Sequence, residues 1–402
     1  MAGVAALAAL ASLGTAHAGI TVLYAFTGRS DGAYPHSRLI EDSAGNFHGT
    51  NGDDARAGTV FKLAPDGTET TLHTFRGKNG DGARPWAGVI EDKDGNLFGT
   101  TAGGGADGYG TVFKLAPDGT ETVLYSFTGE SDGAGPDAGL IRDKGGNLYG
   151  TTYQTNGHYC EFGVDCGGTV FRIAPDGTET VLHSFTGEKN GDGADPEAGL
   201  IQDEEGNLYG TTTKGGGTGC KGEYEPNGCG TVFKIAPDGT ETVLYAFHGR
   251  KHGDGSYPES GLIEDKAGNL YGTTGNGGTH GKGTVFKLAP NGTETVLYSF
   301  AGGHDGAHPD AGLIQDQAGN LYGTTQGGGG TGYHPQRGCG TVFMLGPDGT
   351  ETVLYAFQGH KDGATPSAGL MKGGDGQLYG TASEGGIGCG GFGCGTVFRL
   401  TK

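Results

Sequence analysis

The sequence is poor in positive charge and in long apolar runs, and each shortage excludes something. Lys and Arg number 26 against 46 Asp and Glu, a formal net charge of −20. Such a field repels phosphate backbones and anionic lipid surfaces, so no nucleic-acid partner is expected. Cations and neutral polar ligands such as sugars remain open. Beyond residue 18 no apolar run is long enough to cross a bilayer, so no membrane span is expected. A 3.6-residue apolar period is also missing, which removes helical repeats. Cysteines number seven and none has Cys-x-x-Cys spacing, which argues against a cysteine metal site. Nucleophile-elbow, His-Glu-x-x-His and P-loop motifs do not occur, nor does a sialidase-type Ser-x-Asp-x-Gly-x-Thr-Trp box.

What is abundant is glycine, 89 of 402 residues, and it is organised by repetition. Gly-Thr-Val-Phe recurs with its Thr at 59, 111, 169, 231, 284, 341 and 396, a period of 52 to 62 residues. Three other blocks recur with it: Val-Leu-Tyr-Ser-Phe, Asp-Gly-x-x-Pro leading into Gly-Leu-Ile, and Asn-Leu-Tyr-Gly-Thr. Each reads as a short strand bounded by turn residues. In one repeat Ala138–Asp143 is the first strand, Asn147–Thr152 the second, Thr169–Ile173 the third and Glu179–Phe185 the fourth. Pro175-Asp176-Gly177 makes the last turn, where glycine accepts positive φ at no steric cost.

Four antiparallel strands at this period form a propeller blade, and seven repeats predict an all-β, seven-bladed β-propeller. The ends complement each other. Val22–Phe26 is the second half of a hairpin, and Thr396–Leu400 is a first half. Pairing them closes the ring and hides two strand edges. The Gly-Leu-Ile strand is placed innermost, since its Ala-Gly pair is small where seven strands converge. Residues 1–18 end in Ala16-His17-Ala18, as an export signal does, leaving one domain over 19–402.

The blocks Gly-Asn-Leu-Tyr-Gly-Thr-Thr and Gly-Thr-Val-Phe-Lys-Leu-x-Pro-Asp-Gly-Thr-Glu-Thr-Val-Leu-Tyr-x-Phe resemble the choice-of-anchor tandem-repeat GloVer-containing proteins over residues 20–402. The resemblance implies an exported bacterial protein and carries no activity with it. With no anchor after the last repeat, free secretion, or a periplasmic location, is expected, and a monomer.

The position after each repeat proline differs between blades: His36, Trp86, Asp137, Glu197, Glu259, Asp310 and Ser367. Four consecutive blades thus present a carboxylate at the expected channel mouth, with His36, Ser367 and the one tryptophan opposite. This predicts a pocket for sugar hydroxyls or a cation, with Trp86 as a stacking face; solvated residues at a strand start are the plain alternative. Asp31, Asp81, Asp132, Asp192, Asp254, Asp305 and Asp362 are invariant among the repeats and are expected to shape their loops. Structural Ca²⁺ at these aspartates is the alternative, although the string Asp-x-Asp-x-Asp-Gly is absent.

Between the second and third strands, four blades carry long loops with Tyr153, Tyr159, Tyr224, Tyr333, His334 and Arg337, a candidate recognition surface. The cysteines lie in the same loops. Close spacing pairs Cys160 with Cys166, Cys220 with Cys229 and Cys389 with Cys394, leaving Cys339 over. Each short bridge would add roughly 2–2.5 kcal/mol by the chain-entropy model. Together these features predict an extracellular binding or interaction module recognising carbohydrate or a cell-surface protein, with no cofactor required. A polysaccharide hydrolase or lyase using Glu197 and Glu259, and a structural envelope protein, are the alternatives.

Overall fold

The computed structural model describes residues 19–52, 57–155, 167–187, 191–216, 228–330, 337–389 and 392–401. Seven four-stranded antiparallel sheets form a ring. In the first blade the strands run, from inside out, Ile40–Glu41, Phe47–Asn51, Thr59–Leu63 and Glu69–Thr74. The last blade takes three strands from one end, Met371–Lys372, Leu378–Ala382 and Thr396–Thr401, and its outermost, Gly19–Ala25, from the other. Gly19 pairs with Thr401 and Ala25 with Thr396, as the complementary ends require.

The innermost ladder is shorter than the sequence suggests: Ile141–Arg142 rather than Ala138–Asp143. Upstream of it a side chain from the neighbouring blade replaces the ladder. Thr100 Oγ1 donates to the carbonyl of Ala138 at 3.0 Å, and the equivalent bond recurs all round the ring. Thr381 makes it to Ser37 across the closure.

The core lies between blades, not within them. Phe113, from one Gly-Thr-Val-Phe block, meets Phe75 of the preceding blade edge to face. Seven such pairs recur, with centroids 5.0 to 5.2 Å apart and rings 64° to 72° from parallel, including Phe357–Phe398 and Phe26–Phe61 flanking the closure. Edge-to-face contact places the positive ring edge on the negative face. The glycine of Leu-Tyr-Gly-Thr is needed for this packing: a Cβ at Gly99 would stand 2.7 Å from Cζ of Phe113. A one-residue bulge in each outer hairpin, at Leu124 for example, turns a leucine toward the next blade's cluster.

Candidate functional site

The Asp-Gly-x-x-Pro loops and the loops between second and third strands lie together, because they pair with each other. Gly82–Ala83 of an Asp-Gly-x-x-Pro loop pairs with Gly103–Gly104 of its own blade, and Gly193–Ala194 with Lys214–Gly215. The invariant aspartates build these loops. Asp132 accepts from Thr128 N at 2.7 Å, Thr128 Oγ1 at 2.6 Å, Glu130 N at 3.2 Å and Tyr125 Oη at 3.0 Å. Its two oxygens are occupied by donors from its own loop and strand.

Immediately before each proline the backbone is forced into the left-handed region. Tyr34, Arg84, Asp195, Tyr257, His308 and Thr365 have φ between 54° and 59°, and the seventh position is Gly135 at 65°. A following proline ordinarily pushes its predecessor to extended backbone, so six non-glycine residues here carry strain. Two hydrogen bonds hold each one. Its N–H donates at 2.8 to 3.1 Å to the loop before Gly-Thr-Val-Phe of the preceding blade, as Arg84 does to Ala57 and Tyr257 to Cys229. Its carbonyl accepts from its own blade's loop, as Asp195 does from Thr213 at 3.0 Å. The proline behind it then aims the next side chain at the channel.

That next side chain is the variable column, and all seven of its members line one central cavity of about 720 Å³. His36 and Ser367 meet across the closure, Nδ1 to Oγ at 3.1 Å. The pyrrole edge of Trp86 rests against Gly52 and the Arg84 guanidinium sits 5.6 Å over its ring, so one face is covered by protein.

The four acids are half-buried and crowded together. Burial, then Glu197 beside it, holds Asp137 well above the usual carboxylate range. Burial, then Glu259 and Asp195, pushes Glu197 up to about 8, with Lys214 easing the shift. Glu259 and Asp310 rise together, each through burial and then a neighbouring acid of the same arc. Among the described residues no hydrogen-bond partner meets the buried Oδ1 of Asp137. Asp195 itself pairs with Lys214, Oδ2 to Nζ at 2.6 Å.

Sequence reasoning missed Arg38. The channel-facing residue two beyond the variable column is Gly88, Gly139, Gly199, Gly261, Gly312 and Gly369 in six blades, and Arg38 in the first. No hydrogen bond or ion pair among the described residues satisfies its guanidinium, and burial lowers its pKa. The signal was one arginine in a column of glycines. Beneath it, Ile40, Ile90, Ile141, Ile201 and Ile263 line the lower channel.

Of the loop residues, the Tyr153 ring packs on Gly135, and Arg337 is exposed beside the same face. Tyr159, Tyr224, Tyr333 and His334 lie outside the described residues, as do Cys160, Cys166 and Cys220. Cys389 and Cys394 are joined as expected. Cys229 is also disulfide-bonded. Cys339 is fully buried, and its carbonyl accepts from Thr365 N.

A profile of the Gloeobacter/Verrucomicrobia repeat matches residues 3–224 and 219–402. The chain belongs to that repeat family. No curated protein matches this Gloeobacter/Verrucomicrobia repeat chain. Solved structures resemble it in fold alone. The extracellular domain of a candidate one-component system from B. thetaiotaomicron aligns at TM-score 0.56 and 10% identity, over 95% of this chain and 40% of that one. A candidate gluconolactonase aligns at TM-score 0.42 and 15% identity, over 96% of this chain and 92% of that one. A candidate 6-phosphogluconolactonase from Bacteroides uniformis aligns at 0.48 and 16%, covering 79% and 83%. Among the described residues no helix is long and apolar enough to cross a membrane.

Proposed function

We propose that this Gloeobacter/Verrucomicrobia repeat protein is an extracellular binding module whose ligand, a neutral carbohydrate, docks in the mouth of the central channel. The arc of four carboxyl groups lining one cavity, Asp137, Glu197, Glu259 and Asp310, carries this reading. Convergent polar groups beside an aromatic wall match the hydroxyls and the C–H face of a sugar. Carboxyl groups that keep their protons near neutrality donate and accept, matching hydroxyls better than a fixed negative charge would. Trp86, in the blade next to that of Asp137, adds an aromatic wall, and Arg38 lines the same cavity with its five donors. The disulfides fit an extracellular setting.

Binding fits this arc better than hydrolysis. A glycosidase pair needs one acid held protonated and its partner held ionised, which requires environments that push the two apart. Here all four acids are pushed the same way.

A glycan array followed by calorimetry tests the reading. Asp137→Leu and Glu197→Leu, which remove both the donor and the acceptor of the protonated carboxyl, should each weaken binding about 5- to 100-fold, the cost of leaving a buried polar partner unsatisfied. Trp86→Ala should weaken it as well. Affinity unchanged in all three variants would remove the mouth as the site. Polysaccharide cleavage lost in Glu197→Gln would establish the hydrolase instead.

A further inference from the structure

A second set of ionisable groups sits on the outer rim, between blades and away from the channel. Three columns of the repeat meet there. One is the aromatic of the Val-Leu-Tyr-x-Phe strand, the second is the loop aspartate that follows it, and the third is the glutamate opening the next blade's outermost strand. Where the aromatic is tyrosine, its hydroxyl donates to the aspartate. Tyr24, Tyr125, Tyr245, Tyr298 and Tyr355 do so at 2.8 to 3.1 Å. In two blades the tyrosine is replaced by histidine, His73 and His183.

Those two clusters are unlike the rest. His73 Nε2 stands 3.7 Å from Asp81 Oδ1, and His183 Nε2 stands 3.5 Å from Asp192 Oδ1. Both separations exceed an ordinary hydrogen bond of 2.7–3.2 Å. Glu121 and Glu241 complete the groups, and within each the three ligand atoms lie within 4.8 Å of one another. Among the described residues His73 Nε2, Asp81 Oδ1 and Glu121 Oε1 are all buried atoms with no hydrogen-bond partner, as are His183 Nε2 and Glu241 Oε1. Asp192 Oδ1 accepts from Gly193 N at 2.7 Å, which leaves it a second lone pair.

We propose that these two clusters are sites for divalent transition-metal ions, one held by His73, Asp81 and Glu121 and the other by His183, Asp192 and Glu241. One imidazole and two carboxylates are a ligand set that zinc accepts, with a fourth position left for water. A neutral histidine with two carboxylates carries a charge of −2, which a divalent ion cancels. The geometry agrees. Ligand atoms about 2.0–2.1 Å from a tetrahedral ion are about 3.3 Å apart, close to the histidine–aspartate spacings. The glutamate oxygen, within 4.8 Å of the other two, would close in by at most about 1.5 Å. Because the glutamate comes from the next blade, each ion would tie two blades together.

The molecule supplies its own control, since five blades already carry tyrosine at this position. His73→Tyr and His183→Tyr should therefore fold normally, which circular dichroism checks. Protein stripped with EDTA and dialysed against zinc sulfate should hold one ion fewer in each single variant and two fewer in the double variant, measured by mass spectrometry of the metal. Zinc should raise the Tm of the parent and not that of the double variant. Equal zinc content in parent and double variant would overturn the proposal. A Tm rise with Ca²⁺ that the double variant loses would overturn the transition-metal assignment, because calcium prefers oxygen ligands alone.

Discussion

Glu197 keeps its proton up to about pH 8, because burial and then the nearby Glu259 and Asp195 disfavour its carboxylate. In an unfolded chain it would release that proton near pH 4.5. The native state therefore binds more protons than the unfolded state between these values, and linkage makes stability fall as pH rises through them. The contribution is fully present below about pH 4.5 and is lost through about pH 8. Tm measured from pH 4.5 to 8.5 should decline, and Glu197→Gln, which is neutral throughout, should make the decline shallower. The slope should not vanish, since Glu179, Glu294 and Glu351 on the outer rim are also pushed up, to about 7. At this scale the sequence was only partly legible. The acid arc could be read because one variable column follows an invariant proline. Arg38 was overlooked because its column reads as small residues packed at a crowded axis. The left-handed residues before proline were invisible, since Tyr, Arg, Asp, His and Thr do not announce positive φ.

The strand blocks were the most legible elements, because each is bounded by turn residues and repeats seven times. What the blocks concealed was their partners, which belong to neighbouring blades. Phe127 meets Phe171, and Thr211 meets the carbonyl of Ser260, contacts that no single repeat contains. Phe127→Ala should cost about 3–5 kcal/mol, the transfer and cavity terms together. Thr211→Val keeps the shape but strands a buried carbonyl, and should cost about 1–3 kcal/mol. Midpoints of urea unfolding check both, and near-zero shifts would mean that neighbouring blades are not mutually dependent. The tyrosine-to-histidine exchange at His73 and His183 was hidden for the same reason. Within the strand it looks neutral, and its meaning appears only when the next blade brings its glutamate.

At the scale of the whole molecule, stability rests on a ring in which each blade completes its neighbour's core. Removing residues 19–26 would strip the outermost strand from the closing blade and bare the edge of Thr396–Thr401. Such a protein should aggregate and lose its single cooperative transition, by light scattering and calorimetry. A circular permutant with the old ends linked and new ends in the Asp238-Gly239 turn should instead fold, because Thr401 Oγ1 already donates to the Gly19 carbonyl at 3.0 Å. Closure also sets an order of events in time. The strand made first waits for a partner 382 residues further along the chain. At 5–20 residues per second a ribosome needs about 20–80 s to deliver it. Through that interval two sheet edges stay open, so this propeller cannot finish folding until its last strand has been made.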